Sequence, residues 1–212
     1  MADDLIFYTH PMSRGRIARW MLEEVGQPYE TRLLDFATTM KAAEYLAVNP
    51  MGKVPAIRHK DRVITECGAI CAYLADAFPD AGLSPDPAER ADYYRWFFFA
   101  AGPVEQVVTN KALGFTVNAE QSRMAGYGSH ELALDVIEHA VSAKPFLAGE
   151  RFSAVDVYFG SQLGWGVQFG ILPDRPAFRA YLDRIFARPA YKRASEIDDA
   201  LIAEQEAAAA PA

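Results

Sequence analysis

The spacing of apolar residues in the first part of the chain changes from strand-like to helix-like and back. Residues Leu5 to Thr9 form a short apolar run that predicts a strand. Apolar positions then recur with the period of a helix over residues 14–25, and Gly26 ends the predicted helix. A second strand is predicted over residues 29–34, and two strands joined through such a helix pair in parallel by a right-handed crossover. The pattern up to this point is βαβ.

Two further short strands and a helix complete this part of the chain. The strands are predicted over residues 54–58 and 63–64, with a turn between them. The helix is predicted from Glu66 to about Phe78. We therefore predict a small α/β domain of order βαβ-ββα over residues 1–79.

A change in composition separates this domain from the rest of the chain. Residues 79–87 contain three prolines and a glycine, which disfavour regular structure. We interpret residues 80–87 as a linker and residues 88–212 as an all-α helical bundle. The predicted helices of the bundle cover residues 88–114, 119–143, 154–170 and 177–187.

Two local signals refine the picture of the helical part. Ser153 is followed three residues later by Asp156, which predicts a capping box at the start of a helix. The alanine-rich residues 200–212 have little apolar surface to bury and are expected to fray.

The charge of the chain limits the partners that it can have. Its 28 acidic residues outnumber its 21 lysines and arginines and give a net charge of −7, which argues against a nucleic-acid footprint or a basic membrane-binding surface. No apolar run approaches the ~18 residues that a membrane span needs, and no basic segment precedes the first strand. We expect a cytoplasmic protein that binds neither nucleic acid nor membrane.

The cysteines and histidines do not indicate a metal site or a disulfide framework. Cys67 and Cys71 lie four residues apart on one face of a predicted helix, a spacing that suits packing, and we expect both thiols to be reduced. The four histidines are scattered without the spacing of metal ligands, so no metal is predicted. They are His10, His59, His130 and His139.

The most informative segment runs from Asn49 to Ile57 and contains Val54-Pro55. A proline inside a strand-like run must lie at an edge, at a bulge or at an unusual peptide bond, because it cannot donate to the ladder. The Val54–Pro55 bond is a candidate cis bond, and a plain turn proline is the alternative. In the cis form the N–H and C=O of Val54 would turn outward and pair with an extended peptide.

These elements, in this order, resemble the cytosolic glutathione transferase family, in particular its bacterial, serine-type members. The resemblance covers the whole chain. The segments that carry it are Tyr8-Thr9-His10-Pro11-Met12-Ser13, Asn49 to Ile57, Glu66-Cys67-Gly68-Ala69-Ile70 and Phe152-Ser153-Ala154-Val155-Asp156. It implies a thioredoxin-like N-terminal domain that binds glutathione as co-substrate, a helical domain that holds a hydrophobic electrophile, and a homodimer. The implied activity is conjugation of glutathione in detoxification, with peroxide reduction by the same thiolate as an open addition.

The resemblance makes Ser13 the first choice for the catalytic hydroxyl that stabilises the glutathione thiolate. The start of a helix, where we expect Ser13, also favours an anion through its free N–H groups and its dipole. An ordinary capping serine fits the same position. The phenol of Tyr8 is a rival donor, or else a core ring, and Arg14 could act by charge. No cysteine lies near residues 12–16, which argues against thiol–disulfide exchange as the main activity.

The resemblance also implies how the rest of glutathione is held. Val54, before Pro55, would pair its backbone with the cysteinyl unit, and Glu66 would meet the γ-glutamyl ammonium. Cys67 stands where the family usually has serine, so its backbone N–H would hold the γ-glutamyl carboxylate, with a loss of affinity. Lys53 would pair with the glycyl carboxylate, and a solvated lysine is the equal alternative.

An aromatic run is the expected source of the electrophile site. Aromatic residues occupy most positions from Tyr93 to Phe99, and consecutive helical positions point all round, so some must leave the core. Further candidates, for which core packing is the better interpretation, are Phe115, Trp165 and Phe169. The alternative function is a non-catalytic module of the same fold that binds protein partners.

Overall fold

The computed structural model describes residues 5–209, and their contacts divide them into two compact units. Unit 1 contains residues 5–81 and 187–209, and unit 2 contains residues 82–186. The elements of unit 1 are β1 (Leu5–Thr9), α1 (Gly15–Val25), β2 (Glu30–Leu33), α2 (Ala43–Leu46), β3 (Ala56–His59), β4 (Arg62–Thr65), α3 (Cys67–Ala77) and α9 (Pro189–Ala209). The elements of unit 2 are α4 (Arg90–Phe99), α5 (Glu105–Ala112), α6 (His130–Ala143), α7 (Ala154–Gln168) and α8 (Pro176–Phe186).

The strands of unit 1 form one mixed sheet in the order β2-β1-β3-β4. β2 is parallel to β1, as the crossover through α1 requires, and β3 and β4 are antiparallel to their neighbours. All five residues of β1 are buried, which places this strand in the core of unit 1. The sheet and the helical part confirm the predicted fold class, an α/β thioredoxin-like domain of order βαβ-ββα followed by an all-α part.

The apolar face of α1 is buried as predicted, and its charged residues are in contact with α9. Glu24 accepts two hydrogen bonds of 2.7 Å from the guanidinium of Arg188, the residue directly before α9. Arg19 Nε lies 2.8 Å from Oδ1 of Asp198, and both side chains are almost completely buried. The helix α9 therefore closes the surface of α1 with charges of opposite sign.

The domain boundaries at residues 79 and 88 stay a prediction. They did not anticipate that α9 packs with the N-terminal part of the chain. Residues 187–209 belong by contact to unit 1, although chain order grouped them with the helical domain. Residues 200–209 continue α9 rather than fray, and residues 210–212 of the predicted fraying tail lie outside the described residues.

Two predicted helices of unit 2 are shorter than the pattern indicated. The helix predicted over residues 88–114 is divided into α4 and α5 by a π-helical turn at Ala100–Val104. Pro103 lies inside this turn, where its ring and missing N–H disturb regular α-helical bonding. The helix predicted over residues 119–143 begins only at His130. The preceding Gly128 has a φ of 68°, and Ser129 caps the helix by accepting the N–H of Leu132.

The predicted capping box of unit 2 is confirmed, and it is part of a larger buried network. Asp156 accepts hydrogen bonds from the N–H and the hydroxyl of Ser153, from the N–H of Leu147 and from the hydroxyl of Tyr181. The donors lie 2.9–3.1 Å from the carboxylate oxygens. Burial raises the pKa of Asp156 to about 6, although each of these hydrogen bonds lowers it.

Within residues 5–209, no helix combines the length and the apolar character that crossing a membrane requires.

Candidate active site

The segments that carry the predicted site residues meet at one edge of the sheet. The register places Tyr8 of β1 opposite Ala56 of β3, and Ala56 opposite Thr65 of β4. The residues that follow β1, precede β3 and follow β4 therefore leave from the same edge, because antiparallel neighbours run in opposite directions. The Sγ atom of Cys67 also lies 3.4 Å from the main-chain oxygen of Arg14, which joins the start of α3 to the loop after β1.

The predicted catalytic hydroxyl lies in the loop between β1 and α1, where Ser13 is half-buried. Its Oγ donates to the main-chain oxygen of His10 at 2.6 Å and accepts the N–H of Gly15 at 2.9 Å. A side chain at position 15 would collide with Oγ1 of Thr9, so the loop requires glycine there. Ser13 therefore lies one residue before Arg14, the N-cap of α1, and bridges the turn there, with its proton directed at the His10 carbonyl.

The two rival groups for the catalytic role lie in different surroundings. The ring of Tyr8 is buried in a hydrophobic cluster, whereas Arg14 is exposed to solvent. The other members of the cluster are Ile6, Met40, Tyr45 and Ala56. The assignment among Ser13, Tyr8 and Arg14 stays a prediction, and these surroundings favour Ser13, because a buried ring has less access to a ligand.

The segment before β3 offers an unpaired piece of backbone. The Val54–Pro55 peptide bond is cis. Across residues 5–209, no backbone group forms a hydrogen bond with the N–H or the C=O of Val54, and the residue is half-buried. These two groups can therefore accept an extended peptide as a neighbour, in the way that a sheet edge does.

Side chains from α2 and the following turn fix this segment. The carbonyl of Lys53 accepts the hydroxyl of Tyr45 at 2.6 Å and Nδ2 of Asn49 at 2.8 Å. The Lys53 side chain itself is exposed. Its backbone is thus held while its ammonium group remains accessible to a ligand.

The start of α3 presents a carboxylate and a helix N-terminus at the same sheet edge. Glu66 is the N-cap residue, its side chain is exposed, and its φ of 67° is unusual for a residue other than glycine. Such a backbone conformation persists only where the surrounding structure enforces it, and it is concentrated at functional sites. Cys67 is buried beside Glu66, and the first N–H groups of α3 have no partner within the helix.

The sequence interpretation missed the surroundings of one side chain in this region, that of His10. It placed His10 among the scattered histidines and in the Tyr8–Ser13 segment without giving its side chain a role, whereas the ring is buried and packs on Phe36, with ring centroids 4.1 Å apart. The available signal was its position between a buried strand and the predicted catalytic serine. Loop residues that a rigid strand positions often have functional roles.

The aromatic run in unit 2 divides between the core and the surface, as its consecutive positions predicted. Within α4, Phe97 is 6% exposed and Phe98 is 75% exposed. The three further aromatic candidates differ in their exposure to solvent. Phe115 and Phe169 are exposed, and Trp165 is half-buried.

The cysteines are free thiols. Burial, with a smaller contribution from Cys67, raises the pKa of the Cys71 thiol well above its ordinary value, which disfavours a reactive thiolate there. Over the described part of the chain, no three histidine, cysteine, aspartate or glutamate side chains come together in a group that could hold a metal ion.

Two protein-family descriptions match the sequence. Residues 3–76 match "Glutathione S-transferase, N-terminal domain", and residues 95–189 match "Glutathione S-transferase, C-terminal domain". Among curated proteins, "Glutathione S-transferase GST-4.5" of Xanthomonas campestris pv. campestris is 30% identical over 191 residues. The match covers 85% of this chain and 92% of that protein.

Solved structures resemble the fold over nearly the whole chain. The crystal structure of a glutathione transferase from Methylococcus capsulatus str. Bath is 31% identical, with a TM-score of 0.77. The match covers 92% of this chain and 98% of that chain. A sphingomonad glutathione S-transferase in complex with glutathione is 27% identical, with a TM-score of 0.74 and the same two coverages.

Proposed function

The chain belongs to the glutathione S-transferase family, and from this membership we propose that it conjugates the thiolate of glutathione to hydrophobic electrophiles. The observation that carries the proposal is the juxtaposition at one sheet edge of Ser13, the start of α3 and the backbone of Val54, which has no backbone partner within residues 5–209. Together these groups offer a hydroxyl donor, a peptide-pairing edge and an anion-binding helix terminus.

The thiolate is the nucleophile, and the proposed task of Ser13 is to stabilise it. Free thiols have a pKa near 8.5, so a group that donates to the anion raises the thiolate fraction at neutral pH. A thiolate is a charged acceptor and competes well with the neutral carbonyl of His10 for the Ser13 proton. The thiol proton leaves to solvent, the sulfur electron pair forms the new C–S bond, and the leaving group departs with its own electron pair.

The remaining site residues are proposed to hold the ends of the tripeptide. Val54 pairs with the cysteinyl unit next to Pro55, and the exposed carboxylate of Glu66 meets the γ-glutamyl ammonium. The first N–H groups of α3, including that of Cys67, meet the γ-glutamyl carboxylate. The exposed ammonium of Lys53 meets the glycyl carboxylate.

The same thiolate can reduce a peroxide, and this remains a second proposed activity. Attack on the O–O bond releases an alcohol and gives a sulfenic acid on glutathione, and a second glutathione converts it to the disulfide and water. The non-catalytic binding module is not favoured. A homodimer and a cytoplasmic location stay predictions, as does the absence of a metal.

Calorimetric titration of glutathione at neutral pH tests the proposed function. We expect binding with proton release, measured as a difference in heat between two buffers of different ionisation enthalpy. Because Glu66 pairs with an ammonium, Glu66→Gln is expected to weaken binding about tenfold. Glu131→Gln, an exposed residue of α6 in unit 2, is the matched control and should bind like the wild type. Wild-type protein that does not bind millimolar glutathione would contradict the proposal.

Turnover of Ser13 variants tests the catalytic assignment. We expect Ser13→Ala to lower kcat by at least about tenfold, with little change in glutathione affinity, because the donor acts on the thiolate. Ser13→Thr keeps the hydroxyl and should retain more activity than the alanine variant. Tyr8→Phe is expected to lower kcat by less than about threefold. The reverse ranking of Ser13→Ala and Tyr8→Phe would move the role to Tyr8.

A further inference from the structure

The loop that carries Ser13 is held by a buried histidine. The side chain of His10 is only 6% exposed, and its Nδ1 accepts the N–H of Met12 at 3.1 Å. The main-chain oxygen of the same residue accepts the Ser13 hydroxyl at 2.6 Å. His10 therefore contacts both the amide of Met12 and the hydroxyl of Ser13. These two contacts hold the loop that leads into α1.

The surroundings of the ring keep it in the form that this contact requires. Nδ1 accepts a hydrogen bond only when it is unprotonated, so the ring must be neutral. Burial lowers the pKa of His10, and the nearby Asp35 carboxylate opposes this effect more weakly. Oδ1 of Asp35 already accepts the N–H groups of Ala37 and Thr38 and the Thr38 hydroxyl.

A second contact fixes the plane of the ring. The His10 ring lies 4.1 Å from that of Phe36, centroid to centroid, in the segment after β2. The parallel pairing of Thr9 with Leu33 brings the two loops side by side. The ring orientation is thus set by packing, and the Nδ1 lone pair is directed at the Met12 amide.

We propose that His10 is a positioning residue for the transferase reaction: as a neutral hydrogen-bond acceptor it holds the β1–α1 loop so that Ser13 meets the glutathione sulfur. The inference rests on the proposed function, since it takes Ser13 as the donor to the thiolate. Loss of the acceptor leaves the Met12 N–H unpaired and releases the loop, and small displacements of a reacting group are costly in rate.

Two substitutions distinguish the role of the His10 hydrogen-bond acceptor from that of its aromatic ring. His10→Phe keeps a ring against Phe36 but removes Nδ1, whereas His10→Asn removes the ring and places Oδ1 near the position of Nδ1. We expect His10→Phe to lower kcat about tenfold with glutathione affinity within about twofold, and His10→Asn to recover most of that loss. His139→Asn, an exposed histidine of α6, controls for the loss of a histidine as such. Equal losses in His10→Phe and His10→Asn, or no loss in His10→Phe, would overturn the proposal.

A measurement on the protein without glutathione distinguishes this proposal from the proposed function. In nuclear magnetic resonance spectra recorded at decreasing pH, the Met12 amide resonance should shift together with protonation of the His10 ring, and in His10→Asn it should not. If the Met12 amide resonance does not shift when the His10 ring is protonated, the positioning role is overturned even in an active enzyme. An inactive wild type in which the two signals titrate together would contradict the proposed function and leave the loop contact standing.

Discussion

Replacing Arg19 with methionine is expected to lower the free energy of unfolding by about 4 kcal/mol, because the variant leaves the Asp198 carboxylate buried without its partner. The Arg19 and Asp198 side chains are 2% and 1% exposed, so water does not replace the lost guanidinium. The guanidinium also reaches the hydroxyls of Tyr29 and Thr31 through Nη1, at 3.2 and 3.4 Å. Urea unfolding followed by circular dichroism measures the loss.

Two further variants identify burial as the cause. Arg16→Met removes a pair with Asp199 that has the same 2.8 Å distance and joins the same two helices, but its side chains are 27% and 65% exposed. It should cost less than about 1 kcal/mol. The double variant Arg19→Met/Asp198→Leu removes both charges and should recover most of the stability. Equal costs for Arg16→Met and Arg19→Met would contradict the explanation.

The cost of Arg19→Met should also depend on pH. Burial raises the pKa of Asp198, and Arg19 is the main group that opposes the rise. Without Arg19 the folded-state pKa moves further upward. A raised pKa contributes stability that is complete below the unfolded-state value and is lost as pH rises through the folded-state value. The deficit of Arg19→Met is therefore expected to be smaller near pH 4 than at pH 7.

Asp156→Ala is expected to lower the free energy of unfolding by about 4 kcal/mol, because it leaves four buried donor groups without an acceptor. The donors come from Ser153, Leu147 and Tyr181, so the loss reaches three segments of unit 2. The matched control is Ser129→Ala, which removes an exposed cap of α6 and should cost about 1 kcal/mol. Similar values for the two variants would mean that Asp156 acts as an ordinary cap.

The pH dependence of Asp156 has a definite sign. Its folded-state pKa of about 6 exceeds its ordinary value of 3.8, so the native state favours the protonated carboxyl. The associated stability is complete below the ordinary value and is lost as pH rises to about 6, by roughly 3 kcal/mol for a shift of this size. Asp156→Asn cannot titrate, so the stability difference between wild type and variant should shrink between pH 4 and pH 7. A constant difference would contradict the raised pKa.

Local signals predicted the parts of the fold that depend on neighbours in sequence. The period-3.6 apolar stripe of α1 and the Ser153–Asp156 spacing each concern residues within one or two helical turns, and both were confirmed. The Val54–Pro55 bond was a candidate for the cis form because an X-Pro amide has a reduced preference for trans, but the dipeptide alone favoured a plain turn proline, and the bond is cis. The assignment of Ser13, Val54 and Glu66 to one ligand came from the family resemblance and stays a prediction.

The features that the sequence pattern did not predict depend on distant partners or on small backbone energies. Asp198 lies 179 positions after Arg19, and a single sequence contains no signal that pairs them. The break between α4 and α5 was missed because the residues on both sides favour helix, and only the pair Gly102-Pro103 argued against continuity. The contact of His10 with Met12 depends on a loop conformation that no periodic pattern describes.

The placement of α9 also determines the order in which a nascent chain can finish folding. Every residue of unit 2 precedes position 187, so all of this unit leaves the ribosome before α9 does. Synthesis of unit 1 begins first, but the charged surface of α1 remains uncovered until Asp198 has left the exit tunnel of the ribosome. Contacts of such large sequence separation form late, because the intervening chain must first be closed into a loop. The unit that is made first is therefore completed last, and the proposed glutathione site belongs to that unit.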